Sequence, residues 1–166
     1  MARNAEPQWV KPNIRHGSEK HLELLDARHP LLSRAVPFDV AVTNALKPIR
    51  LVFGPNESGK STLLRTVGFV VCLALLGSLV PCKTATIPLY NAILCRIGAQ
   101  DDASRGMSTF AMEAADLARI VERAHVQSLV LMDELGRGTE ARDGIALAHA
   151  TLESVLIASG RRARTH

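Results

Sequence analysis

The chain has 166 residues, 47% of them apolar, with one Trp and one Tyr, which is enough for one domain with an aliphatic α/β core. Its net charge of +4 is mildly basic, and Arg161, Arg162 and Arg164 supply much of it, so a solvated basic tail is favoured over a nucleic-acid surface. The three cysteines, Cys72, Cys82 and Cys95, are odd in number and lack metal-ligand spacing, which fits a reduced intracellular compartment, with nucleus, cytoplasm and mitochondrion all open.

Residues 1–20 are polar, carry Pro7, Pro12 and Gly17, and read as a connector. No secretory signal stands in residues 1–12. Residues 21–166 read as one domain. Its first part, 21–42, holds short extended pieces broken by Pro30 and Pro37. Residues 49–53 read as a short buried strand. The eight residues that follow, Gly54-Pro55-Asn56-Glu57-Ser58-Gly59-Lys60-Ser61, fit the pattern G-x-x-x-x-G-K-[ST]. Each part of that pattern has a task on a phosphate chain. The glycines let the backbone turn tightly, and successive N–H groups then form an anion cradle. The helix that the loop opens adds the positive end of its dipole. Lys60 reaches the β- and γ-phosphates, and the Ser61 hydroxyl sits on Mg²⁺. An ordinary Gly-rich turn is the competing reading, and the strand–loop–helix context weighs against it.

A helix is expected from Lys60 to about Val80, ended by Pro81. Its apolar run, 67–80, is 14 residues long and is interrupted by Gly68, Gly77 and Ser78. That is too short for a membrane span and reads as a buried core helix. Two β-type pieces follow, 84–87 and 92–97, then a polar loop, 100–107. Ser108 or Thr109 caps a helix carrying Phe110, Leu117, Ile120, Val121 and Ala124. Residues 128–132 form a continuous apolar strand that ends in Asp133-Glu134. A last helix, about 139–158, places Ile145, Ala148, Leu152, Val155 and Leu156 on one face. Strands alternating with helices predict an α/β fold with a mostly parallel sheet and helices on both faces. A buried strand tolerates charge only at its end, and in open α/β sheets ligands bind at that carboxyl end. Asp133 is therefore expected to hold Mg²⁺, through water or beside Ser61. Glu134, on the opposite side by strand alternation, is expected to aim at the water that attacks the γ-phosphate. A plain surface Asp-Glu pair is the bland alternative, and the phosphate loop upstream argues against it.

These motifs together resemble the ATPase domain of the MutS mismatch-repair family. The resemblance rests on Gly54 through Thr62, on Val80-Pro81, and on Arg96-Ile97-Gly98-Ala99-Gln100-Asp101-Asp102. It rests further on Ser108-Thr109-Phe110-Ala111-Met112-Glu113, on Asp133-Glu134-Leu135-Gly136-Arg137-Gly138-Thr139, and on Asp143-Gly144. Upstream, Trp9-Val10-Lys11-Pro12 and Ala27-Arg28-His29-Pro30 look like the segments leading from that family's lever helices. The resemblance implies an ABC-like P-loop NTPase that binds ATP through Gly54, Pro55, Asn56, Glu57, Ser58, Gly59, Lys60, Ser61 and Thr62. It implies Mg²⁺ on Ser61 and Asp133, and catalytic roles for Lys60, Glu134 and Ser108.

The resemblance also implies a dimer with a second MutS-like subunit, each nucleotide lying between the two. Ser108, at a helix N-terminus, then approaches the γ-phosphate held by the other subunit. Asp101 and Asp102 belong to a nucleotide-sensing loop. The turn from Gly136 to Thr139 lies at the dimer interface, with Arg137 an interface charge, a phosphate-side charge or a salt-bridged surface residue. The adenine rests near Val36-Pro37-Phe38. Mismatched or branched DNA is met by domains outside this chain, and no membrane is involved. Departures from the family pattern are Glu57, where an apolar residue is more usual, Gln100, and Arg105-Gly106-Met107. The chain also closes on Gly160-Arg161-Arg162-Ala163-Arg164-Thr165-His166. Three arginines stand there where the family has an inner apolar strand ending in Thr-His, so the domain reads as stopping short at its C-terminal end. An ABC-class ATPase of another type is the alternative, but it needs a Leu-Ser-Gly-Gly-type signature where this chain has Gly106-Met107-Ser108-Thr109-Phe110. A copy that folds without turning over ATP is the other alternative.

Overall fold

The computed structural model describes residues 9–17, 21–43, 49–98 and 109–160. Two compact units make up the chain, Met1–Leu89 and Tyr90–His166. The predicted loop at 100–107, Ser108, Asp101, Asp102, the terminal arginines and His166 lie outside the described residues.

The first unit contains β1 (Trp9–Val10), β2 (Asn13–Arg15), β3 (His21–Ala27), β4 (Phe38–Thr43), α1 (Lys60–Leu75), β5 (Val80–Pro81) and β6 (Thr84–Pro88). The short β1 and β2, in the stretch read from sequence as a connector, pair with β5 and β6. A four-stranded sheet runs in the order β2-β6-β3-β4. Only its β2–β6 pair is parallel, and β3 runs antiparallel to both neighbours. β3 turns Leu22 and Leu24 inward by simple alternation. The register then slips between Leu24 and Ala27. Asp26 takes up the extra residue at φ 48, and its N–H donates to Asp39 Oδ1 at 2.7 Å. This bulge returns Ala27 to the buried face.

α1 contributes Val67, Val70, Val71 and Ala74 to the core, the i, i+3, i+4, i+7 stripe of an amphipathic helix. That agrees with a buried core helix, and no helix among the described residues is long and apolar enough to cross a membrane. The helix ends earlier than predicted. Gly77, at φ 80, closes it with Ser78 N donating to Leu73 O and Gly77 N to Ala74 O, both at 3.0 Å. These two bonds form a Schellman cap. The stop signal is thus the glycine, whose left-handed backbone carries no Cβ penalty, and Pro81 lies in β5 beyond it.

The strand predicted at 49–53 is not formed. Those residues are irregular, with Leu51 58% and Phe53 86% exposed. An apolar run becomes an inner strand only when hydrogen-bonded neighbours exist on its flanks. Within this unit the sheet ends at β4, and the segment is tied there by one side chain, Arg50 Nη1 donating to Ala41 O at 3.0 Å. A mostly parallel sheet is accordingly absent from the described residues of the first unit.

None of the three cysteines is in a disulfide. Burial, and secondarily the Asp26 carboxylate, pushes the Cys82 thiol from its ordinary 9.0 up to about 12. The neutral thiol therefore adds stability below pH 9 that fades as pH climbs towards 12. Cys72 and Cys95 are exposed. Alkylation of the folded protein at pH 8 is expected to modify those two and spare Cys82 until denaturant is added, because the thiolate is the nucleophile. Mass spectrometry of the digest decides, and equal labelling of Cys82 in the native state would contradict this core.

The second unit contains β7 (Ala92–Arg96), α2 (Thr109–Arg123), β8 (Ser128–Met132) and α3 (Ala141–Ala158). β7 and β8 pair in parallel from Ala92↔Ser128 to Arg96↔Met132, with α2 as the crossover, so the predicted alternation of strand and helix holds here. α2 packs on β7 and α3 and buries Glu113, Leu117 and Ile120. Of the face predicted for α3, Ala148, Leu152, Val155 and Leu156 are half-buried, whereas Ile145 is turned out, 71% exposed. Gly144 and Thr151 are its fully buried residues, and the backbone of Gly144 lies against that of Gly136.

Candidate functional site

The predicted site residues fall into two groups, one in each unit, and each group is described by itself.

In the first unit the loop turns through Ser58 N donating to Pro55 O at 3.3 Å. Glu57 adopts φ 62 and Gly59 φ 90. A Cβ at Gly54 would come within 2.9 Å of Ser58 Oγ. The glycines at 54 and 59 thus answer two different needs, a close approach and a left-handed backbone. Gly59 is the N-cap of α1, and it offers no side chain to the first helical N–H groups. The first turn carries no acidic residue either. Its donors are open to an anion, which is the condition a phosphate site needs. Lys60 folds back over the loop, its Nζ donating to Gly54 O at 2.9 Å and Pro55 O at 2.6 Å. Ammonium and helix N-terminus thus stand together, as phosphate binding requires. Glu57 is exposed, so its carboxylate is not buried in the cradle.

In the second unit Asp133 extends the β7–β8 ladder, its N–H donating to Arg96 O at 2.8 Å. Asp133 is buried. The chain then turns sharply, with Glu134 at φ 50 and Gly136 at φ 78. The Glu134 carboxylate accepts from the Arg137 guanidinium. Arg137 thus makes a salt bridge, as one of its three readings expects.

Two residues given no role by sequence hold this turn. Glu113 Oε1 accepts from Gly136 N at 2.8 Å, and Oε2 from Gly138 N at 3.1 Å. Arg96 Nη2 lies 3.4 Å from Glu113 Oε1, and Arg96 Nη1 donates to Asp133 O at 3.2 Å. Thr109 Oγ1 donates to Gly138 O at 3.4 Å, which ties the turn to the start of α2. The signal for Glu113 was present. It falls three residues after Phe110 and four before Leu117, on the apolar stripe of α2, where a carboxylate needs dedicated partners. Side chains at 136 or 144 would overlap the facing backbone, so both glycines are needed for close approach.

A family model described as MutS domain V matches residues 50–165. The chain is similar to the DNA mismatch repair protein MutS of Sorangium cellulosum (strain So ce56), 42% identical over 161 residues, covering 93% of this chain and 17% of that protein. It is similar to the MutS protein of Chlamydia muridarum (strain MoPn / Nigg), 39% identical over 167 residues, 97% of this chain and 20% of that one. The MutS protein of Staphylococcus aureus (strain JH9) is 42% identical over 152 residues, 89% and 17%. The chain thus spans about a fifth or less of the length of these curated relatives.

Proposed function

This chain belongs to the MutS family of DNA mismatch repair proteins, and from that premise we propose that it is the module that binds and hydrolyses ATP and couples ATP state to a DNA clamp. The observation that carries this reading is Lys60 folded over a loop whose helix N-terminus is uncapped. A positive charge and free N–H donors at one place are what a polyphosphate needs. On this reading residues 54–62 bind the phosphates, with Lys60 meeting the β- and γ-groups. Ser61 and Asp133 are assigned to Mg²⁺ by type and motif. Bound Mg²⁺ supplies neutralisation of phosphate charge. Glu134 takes a proton from the attacking water as general base. To do so its carboxylate must be released from Arg137, its partner here. Ser108 is assigned to the nucleotide of a second MutS-like subunit, and mismatched or branched DNA to further domains of the full-length protein.

The test is a titration of the purified chain with a fluorescent ATP analogue, with and without Mg²⁺, followed by single-turnover hydrolysis. Saturable, Mg²⁺-dependent binding and release of phosphate are expected. Binding without any phosphate release would identify a copy that folds without turnover. Absence of binding would remove the proposal altogether.

A further inference from the structure

We propose that Glu113 is the positioning residue that holds the turn after Asp133-Glu134 in shape, and so fixes where the Glu134 carboxylate stands. The inference rests on the reading of Glu134 as the base of an ATPase. Glu113 is on α2, away from the strand that carries Asp133 and Glu134, and its side chain is 2% exposed. Both of its oxygens are taken by the turn, at 2.8 Å from Gly136 N and 3.1 Å from Gly138 N. Both contacts are shorter than the 3.4 Å to Arg96, so the carboxylate serves the turn before it serves the ion pair. Arg96 grips the other end of the same turn through the Asp133 carbonyl. The pair therefore brackets residues 133–138, and Glu134, a non-glycine residue at φ 50, lies inside the bracket.

Chemistry requires a carboxylate at position 113. Three donors converge on it, two backbone N–H groups and a guanidinium, and an ionised carboxylate is acceptor-only. Glutamine has the same shape, but its NH₂ brings donors into a place that already holds only donors. The turn also abuts α2 directly, because a Cβ at Gly138 would stand 3.0 Å from Phe110 N and 3.2 Å from Glu113 Oε2.

The experiment uses the full-length protein. Glu113→Gln is expected to lower kcat for ATP about 10²-fold, the usual cost of misplacing a reacting group by about 1 Å. Nucleotide affinity should stay within about twofold, since the substitution leaves the phosphate loop unaltered. Hydrogen exchange at the Gly136 and Gly138 amides should rise by about tenfold or more while β8 stays protected. A general loss of structure would move β8 as well. Gly138→Ala is the second variant: its Cβ would meet Phe110 N at 3.0 Å, Thr109 C at 3.1 Å and Glu113 Oε2 at 3.2 Å, and so push the turn away from α2 and the carboxylate while leaving Glu113 itself unaltered. It decides the matter if Glu113→Gln fails to fold. Unchanged turnover in the folded variants, or lost turnover with unchanged exchange at 136 and 138, overturns the inference. Glu134→Gln is measured in parallel. If it keeps full turnover, the ATPase-base reading fails, and exchange at the two glycine amides alone then decides whether Glu113 holds the turn.

Discussion

Lys60→Ala abolishes nucleotide binding at working concentrations, whereas Glu57→Ala leaves it intact or improves it. Lys60 Nζ already lies within 2.9 Å of two loop carbonyls, so the loop that receives the phosphates also aims the ammonium. Charge-assisted hydrogen bonds contribute about 1.5–3 kcal/mol each. The loop is open to solvent, which argues for the low end. Two such bonds at about 1.5 kcal/mol, with tenfold per ~1.4 kcal/mol, predict a loss on the order of 10²-fold or more. Glu57 brings the opposite sign to the same loop, and removing it lessens repulsion of the phosphates. Backbone strain does not confuse the comparison. Glu57 already sits at φ 62, and alanine meets the same left-handed penalty as glutamate. Titration with a fluorescent ATP analogue reads both variants. If Glu57→Ala weakens binding as much as Lys60→Ala does, Glu57 is a ligand and this reading of the loop is wrong.

The most legible element in the sequence was β8. β8 was predicted at 128–132 and is found as Ser128–Met132, because a continuous apolar run ending in two carboxylates has few other solutions. Its parallel pairing with β7 fits the alternation of strands and helices read from the sequence. The failures have separate causes. Residues 49–53 have strand composition, but composition supplies no hydrogen-bonding neighbour, and Phe53 remains exposed. On α3 the apolar periodicity places Ala148, Leu152, Val155 and Leu156 correctly on a half-buried face and misses Ile145, and the close approach of Gly144 to Gly136 is something periodicity does not weigh. The end of α1 was assigned to the stronger breaker, Pro81, when the nearer Gly77 already closes the helix. In the candidate site Lys60, Asp133 and Glu134 are proposed from their types and spacing. Their supports, Arg96 and Glu113, act on backbone atoms whose placement only the fold reveals.

Glu134→Gln in the full-length protein is expected to bind ATP normally and to lose about 10²–10⁴-fold in turnover, the usual cost of a missing general base. Glutamine keeps the length of the side chain and still accepts from Arg137, so the turn should keep its shape and ATP should persist. Ser108→Ala is expected to act differently. The serine precedes α2, whose first residue is Thr109, and on the proposed reading it meets the nucleotide of a second subunit. Its loss should weaken the ATP-driven dimer while leaving binding by each subunit nearly unchanged. Mixing the two variants separates the roles. If Glu134 serves its own subunit's nucleotide and Ser108 the partner's, a mixed dimer collects both lesions in one composite site and leaves the other site whole. Activity should then recover above either variant alone, up to about half per mixed dimer if the sites fire independently. No recovery from dimers shown to be mixed has two sources. Either both residues serve the nucleotide of their own subunit, or the two sites fire only together. Counting the nucleotide retained per mixed dimer distinguishes them. Defects spread over both sites sink the in-trans role of Ser108, whereas one normal site held silent by the other preserves that role and shows the two sites to be coupled.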